Sequence, residues 1–458
     1  MKNVDLGLFF FNYAYECQIK KKFQEAINYY KKAIEIEPNF FGSYVNMGHI
    51  LFLEKRYKEA IECYRKVIRI KPDCYEAYSQ IGYNYSMIGE YEKGKVYLKK
   101  ALLNRQYNQG LETTINSLIN CIEMLDEDIN IVLTWIQIAS YLKTIHIKPY
   151  IYEAYINITN SLYQINEIEK ANEFKQKAIS FKTVNKKPNF QKEDQIRINQ
   201  INKYIENFKN NSNCNHDYQN IINLQYPLKR IPDFMIIGSP RCGSTAFYEY
   251  LVRHPQILPT AIKEINFFNT NRFNKCIELY LANFPSVNGN YISGEASVEY
   301  LYSAEAPKRI VKLFPNIKLI VIVRNPVERA FSDYKHICKI HNIKQSFLDV
   351  IEEEALGKKN YHIIQKGLYV KFLEYWMKFF LKEQFFLIRS EDFFRNRDIV
   401  LNQVFRFLEI NDYKSNYKSF SPKPHDSFSD DIRIKLSKFY QPYNKMLEDL
   451  LEKNLSYT

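Results

Sequence analysis

The chain runs to 458 residues, 46% hydrophobic and 25% charged, an ordinary globular composition with room for two or three cored domains. Its net charge of +13 is spread over both halves, which suits an anionic ligand but is not a nucleic-acid signature. Eight cysteines, none in a Cys-x-x-Cys pair or a His/Cys cluster, argue against a structural zinc site and against a disulfide framework.

The opening stretch, MKNVDLGLFFFNYAYE, has no signal-peptide cleavage site and runs straight into a repeat. No apolar run reaches the length of a membrane span, so a reducing, cytoplasmic location is the expectation. The repeat has a period of 34 residues. Ala14, Gly48 and Gly82 share that step, as do Ala26, Ala60 and Gly94. Phe10, Tyr44 and Tyr78 follow it, and so do Phe23, Tyr57 and Tyr91, with Pro38 and Pro72 at the ends. Small residues where two helices cross, aromatics between them and a closing proline resemble the tetratricopeptide (TPR) pattern. The spacing places repeats at 7–40, 41–74 and 75–108 and a further unit at 152–185, with 109–151 helical but degenerate. An all-α solenoid over 1–185 is therefore expected. The aromatic stripes read as its core. Its concave face is the expected place for a protein partner, or for a second copy of the chain.

Residues 186–229 read as a linker with a capping helix at 192–209; Lys186-Lys187-Pro188-Asn189 breaks the last repeat, and NNSNCNHDYQN has linker composition. A second domain is expected over 230–458. There strands at 234–238, 291–296, 317–323 and 384–389 alternate with helices at 244–254, 304–314, 326–341, 346–356, 367–381, 398–408 and 430–453. That alternation predicts an α/β domain, a parallel sheet with helices on both faces and a ligand beyond the carboxyl ends of its strands.

The second domain is organised around FMIIGSPRCGSTAF at 234–247: a buried strand, a glycine-bounded loop and a helix start. Such a helix start offers unpaired N–H groups and a positive dipole end to a phosphate-like anion. The nearest pattern is the Walker A loop, G-x-x-x-x-G-K-[ST]. Here Ser244 stands where the lysine would be, and Arg241 is the only cation in the loop. The run KLIVIV at 318–323 ends in Arg324, where a triphosphatase would carry a magnesium-binding aspartate. An anionic nucleotide bound without metal is the expectation, and a P-loop kinase is the disfavoured rival.

GSPRCGST, together with LIVIVRNPVERAFSDYKH at 319–336, resembles the sulfotransferases that use 3′-phosphoadenosine 5′-phosphosulfate (PAPS). GEASVEYLYSAEAPKRIVKLFPNIKLIVIVRNPVERAFSDYKH is most like their heparan sulfate N- and O-sulfotransferase branch, and the similarity covers about residues 230–455. The resemblance implies that Arg241, Cys242, Gly243, Ser244 and Thr245 hold the 5′-phosphosulfate, with Arg241 stabilising the leaving phosphate. It implies that Arg324 and Ser332 hold the 3′-phosphate, and that Lys418 or Lys423 covers the cofactor. Glu264, in KEINFF, becomes the general base, and His336 a second acid/base candidate. Gly367-Leu368-Tyr369 is a candidate lining of the acceptor cleft. Arg329 reads as a salt-bridge residue, and Cys242 as a small residue fitting a tight loop rather than a tuned thiolate.

Three positions depart from the family pattern. Glycan-directed members usually carry lysine where Arg241 stands, histidine in some relatives where Asn266 stands, and lysine in O-sulfotransferases where Ala296 stands. The resulting expectation is sulfuryl transfer from PAPS, leaving PAP, to a hydroxyl or amine of a glycan. The alternatives are a protein-tyrosine acceptor, or a catalytically weak TPR scaffold that binds PAP(S).

Overall fold

The computed structural model describes residues 3–103, 110–182, 231–274, 277–287, 289–341, 343–358, 361–414 and 428–452. Two compact units divide the chain, Met1–Asn185 and Lys186–Thr458. The expectations for the linker at 186–229, and for Lys418 and Lys423, fall outside the described residues.

Among its described residues the first unit is entirely helical: α1 (Asn3–Ile19), α2 (Phe23–Ile36), α3 (Phe41–Leu53), α4 (Tyr57–Ile70), α5 (Tyr75–Met87), α6 (Tyr91–Leu103), α7 (Leu111–Met124), α8 (Ile129–Ile147), α9 (Tyr152–Gln164) and α10 (Ile168–Lys182). Consecutive helices pack on one another. The reason is their pattern. In α4, Ala60, Ile61, Tyr64 and Val67 are buried at helical spacing, and the face between them is charged. The small residues of the repeat sit where helices cross. Ala14, Ala26 and Ala60 are fully buried, and a Cβ on Gly82 would lie 2.5 Å from Leu98 Cγ and 2.9 Å from the Gly94 carbonyl. Only hydrogen at position 82 lets α5 and α6 approach this closely. The degenerate segment 109–151 is helical, as α7 and α8. In α8 every residue from Val132 to Tyr141 is buried, so no polar face remains to mark a period.

The second unit is built on five parallel strands: β1 (Phe234–Gly238), β2 (Ile257–Leu258), β3 (Ile292–Ala296), β4 (Lys318–Val323) and β5 (Phe385–Arg389), in the order β2-β3-β1-β4-β5. Every residue of β1, and all of β4 after Lys318, is buried, which is why both read as unbroken apolar runs. The covering helices are α11 (Ser244–Leu251), α12 (Ile277–Leu281), α13 (Ala306–Leu313), α14 (Pro326–His341), α15 (Phe347–Ala355), α16 (Tyr369–Trp376), α17 (Ser390–Arg395), α18 (Arg397–Phe407) and α19 (Asp430–Leu451).

The four expected strands are present, and the two-residue β2 carried too little pattern to be read. Helix α11 stops short of the expected residue 254, because Pro255 disfavours the helical conformation for His254 before it. Helix α16 ends at Trp376 rather than 381, where aromatic Phe379 and Phe380 turn back towards Tyr375 and Trp376. Among the described residues, no helix is long and apolar enough to cross a membrane.

Candidate active site at the carboxyl edge of the sheet

Strand register gathers the site. Ile236 pairs with Ala296 of β3 and with Ile320 of β4, so the carboxyl ends of three strands lie side by side. The loop after β1 is tied to both neighbours: Ser239 N–H donates to the Ile322 carbonyl at 2.7 Å, and Ser297 N–H donates to the Ile236 carbonyl at 3.0 Å. Arg241 has φ of +68° and Gly243 +85°, turning the chain into α11. Gly243 is required twice over, by its positive φ and because a Cβ would lie 2.8 Å from the Phe394 ring. No side chain caps α11, and its first internal bond runs from Phe247 N–H to the Gly243 carbonyl. The N–H groups of Ser244, Thr245 and Ala246 therefore have no partner within the helix. Thr245 is exposed and Ser244 buried.

Both arginines come to this loop. Arg324, just past β4, directs Nη1 at the Arg241 carbonyl at 3.4 Å. Its backbone is bracketed by Tyr369, whose hydroxyl donates to the Arg324 carbonyl at 3.0 Å. The Arg241 guanidinium is partly buried, with Nε 3.7 Å from Asp333 Oδ1. Burial lowers its pKa, against the attraction of Asp333. Asp333 is shared: its other oxygen takes Nη1 of the fully buried Arg329 at 3.1 Å, one turn back on α14. Arg329 also donates to the Ile363 carbonyl. Arg329 is thus the salt-bridge residue its position suggested. Ser332 is half-buried on the same helix, and His336 is exposed one turn further on.

Cys242 points inward. It is fully buried, with Sγ 3.9 Å from the Tyr369 hydroxyl, and burial pushes its thiol up to about 11. Tyr369, expected as cleft lining, is itself buried and braces the end of β4.

Glu264 lies at the end of β3. Its Oε1 accepts from Lys263 Nζ at 2.6 Å and its Oε2 from Val298 N–H at 3.0 Å, while its own N–H donates to the Ala296 carbonyl. Each carboxylate oxygen keeps a further lone pair, so the group can still take a proton. Glu264 and Asn266 both have positive φ, +61° and +50°. That conformation is uncommon for glutamate and easier for asparagine.

Several contributors escaped the sequence reading. Ser239 Oγ is 2.5 Å from the Tyr302 hydroxyl, and that hydroxyl donates to the Lys366 carbonyl at 2.8 Å. Lys366 Nζ pairs with Glu299 at 2.9 Å. Asp333, Tyr302 and Tyr369 fall inside stretches the sequence had singled out, but they lie far along the chain from the loop they support, so no local signal marked that role, and none marked Lys366.

A helix start with unpartnered first-turn N–H groups, beside a loop that gathers two arginines, is an arrangement that can hold a polyanion. Residues 231–434 match the sulfotransferase domain family, and residues 9–39 and 43–74 match tetratricopeptide repeat families. The chain is 29% identical over 264 residues to the human bifunctional heparan sulfate N-deacetylase/N-sulfotransferase 3, covering 49% of this chain and 30% of that protein. It is 27% identical over 266 residues to the Mus musculus heparan sulfate glucosamine 3-O-sulfotransferase 5, covering 52% of this chain and 77% of that protein. A sulfotransferase structure from Alicyclobacillus acidocaldarius aligns over 50% of this chain and 98% of its own, at 27% identity and a TM-score of 0.44.

Proposed function

Taking residues 231–434 as a sulfotransferase domain that follows tetratricopeptide repeats, we propose that the protein transfers a sulfuryl group from PAPS to a hydroxyl or amine of a glycan. The observation that carries this reading is that Arg324 reaches the Arg241 carbonyl in the loop that leads into the uncapped start of α11. A phosphosulfate donor needs cationic, N–H-rich binding at both of its phosphate ends. The donor set here fits it: two guanidiniums and the first-turn N–H groups, with Ser332 on the adjoining helix.

PAPS supplies the activated sulfuryl group; the chain's part is to position it and to handle charge and protons. Arg241 and the N–H groups of Gly243, Ser244 and Thr245 hold the 5′-phosphate and stabilise the charge that grows there. Arginine keeps its proton near neutral pH, so Arg241 acts through charge alone. Arg324 and Ser332 anchor the 3′-phosphate. Glu264 takes the acceptor's proton. Lys263, held 2.6 Å from Glu264, orients that carboxylate. His336, exposed on α14, is a second group able to exchange a proton with an acceptor. The tetratricopeptide unit supports a glycan carried on a protein, with that protein held on the repeats' concave face. A protein-tyrosine acceptor is the second reading, favoured by the same unit.

Calorimetry with PAP, without metal, is the first test. Arg324→Ala should weaken PAP binding about 10- to 100-fold, the loss of a charge-assisted contact. Transfer of labelled sulfate from PAPS to a panel of desulfated glycans and tyrosine peptides then reads the acceptor. Glu264→Gln should lower transfer by roughly 10²–10⁴-fold with PAP affinity unchanged. Wild-type protein that fails to bind PAP would overturn the reading. Binding without transfer to any acceptor would leave a PAP(S)-binding scaffold.

A further inference from the structure

A fully buried carboxylate sits behind the segment that carries Glu264. Glu295 is the fourth residue of β3, paired with Met235 in the middle of the sheet and wholly shielded from solvent. Its Oε2 accepts from Ser297 Oγ at 2.5 Å, and its Oε1 accepts from the Tyr300 hydroxyl at 3.1 Å. Both hydroxyls are equally buried.

The hydroxyls in turn face three consecutive backbone N–H groups. Ser297 Oγ accepts from Asn266 N–H at 3.0 Å. The Tyr300 hydroxyl accepts from Phe267 N–H at 2.9 Å and from Phe268 N–H at 3.4 Å. An ionised carboxylate can only accept. It therefore fixes the direction of both hydroxyl protons, inward, and leaves their lone pairs for the backbone. The segment held this way is the one with positive φ at Glu264 and Asn266, a conformation the chain does not favour unaided. Arg309 Nη1 closes the far end by donating to the Phe268 carbonyl at 2.8 Å.

We infer that Glu295 is a positioning residue, which acts through Ser297 and Tyr300 to lock the backbone of residues 266–268 and so set where the Glu264 carboxylate points. The kinetic consequence rests on Glu264 being the base; the lock itself does not. Burial raises the Glu295 carboxyl to about 7 against the pull of the hydroxyls, so the ionised form that makes this lock prevails above that pH, and the variant comparison is made at about pH 8 or higher.

Glu295→Gln keeps the shape but presents an amide donor to one hydroxyl, which reverses that hydroxyl's polarity and strands a backbone N–H. Two readouts separate the lock from the sulfotransferase reading. Amide hydrogen exchange of the wild-type and E295Q chains should show residues 266–268 exchanging about tenfold faster or more in the variant, with the rest of the sheet unchanged. Sulfate transfer should show kcat down about tenfold or more, with the KM for PAPS and the affinity for PAP within about twofold. If E295Q does not fold, Ser297→Ala and Tyr300→Phe replace it. S297A should release Asn266 alone, and Y300F should release Phe267 and Phe268. Unchanged exchange at 266–268 in the folded variants would overturn the inference, as would a kcat equal to wild type. Wild-type protein that transfers no sulfate would sink the role of Glu264 and leave exchange to decide the lock.

Discussion

At the scale of single residues, the second unit keeps ionisable groups in places that oppose their charge. Glu295 is the clearest case. Its folded-state pKa of about 7 lies above the ordinary value of 4.5, so the folded protein binds this proton more tightly than the unfolded chain. Its contribution to stability is then complete below about pH 4.5 and is lost as pH rises through 7, by roughly 3 kcal/mol in all. Thermal melts between pH 5 and 8 should therefore fall with pH less steeply for Glu295→Gln than for wild type. Equal slopes would mean that the carboxyl is not strained by burial. Cys242 follows the same logic in the other direction of use: its buried thiol is held protonated, which suits a packed loop residue and not a nucleophile.

At the scale of elements, two short distances decide stability. The first lies on α14, where Asp333 serves the buried Arg329 one turn earlier and also reaches Arg241 in the loop after β1. Removing the aspartate leaves a buried guanidinium uncompensated, so Asp333→Ala should destabilise the second unit by about 3–5 kcal/mol, read by chemical denaturation. A change below about 1 kcal/mol would show that the carbonyl of Ile363 suffices for Arg329. The second lies between α5 and α6. Gly82→Ala would drive a methyl into Leu98 and the Gly94 backbone, and should cost about 1–3 kcal/mol in the first unit while leaving PAP binding unaltered. The helix period was legible at this scale wherever one face stayed polar. It was lost in α8, where burial on every side removed the contrast that a periodic reading needs.

At the scale of the whole molecule, the chain divides into a helical unit with its own aromatic core and an α/β unit with a parallel sheet. The first unit's core draws on Ala14, Tyr30, Ile50, Tyr64 and Ile81, all from within it. The second unit's cluster of Phe331, Phe347, Ile363 and Tyr440 is equally self-contained. A chain of residues 186–458 should accordingly fold without the repeats, melt cooperatively and bind PAP within about threefold of the full chain. Loss of folding in the shortened chain would show that the repeats stabilise the sheet domain. Loss of glycan transfer with PAP binding kept would assign acceptor recruitment to the repeats.

The sequence by itself determined the repeat period, the four long strands, the parallel sheet and the loop at 238–245. These are local: each is written in spacing, in an apolar run or in a glycine that the backbone requires. It also indicated that the loop at 238–245, Glu295 and Arg324 lie along one edge, because strand order in an α/β sheet brings carboxyl ends together. Only the tertiary structure decided which side chains brace them. Asp333 meets Arg241 from 92 positions away, Tyr369 meets Arg324, and Ser297 and Tyr300 reach back to Asn266 and Phe267. Such pairings carry no pattern in the chain, since hydrogen-bond partners are chosen by proximity after folding and not by neighbourhood before it. The inward turn of Cys242 and the burial of Glu295 were settled in the same way, by which face of each strand end the surrounding helices cover.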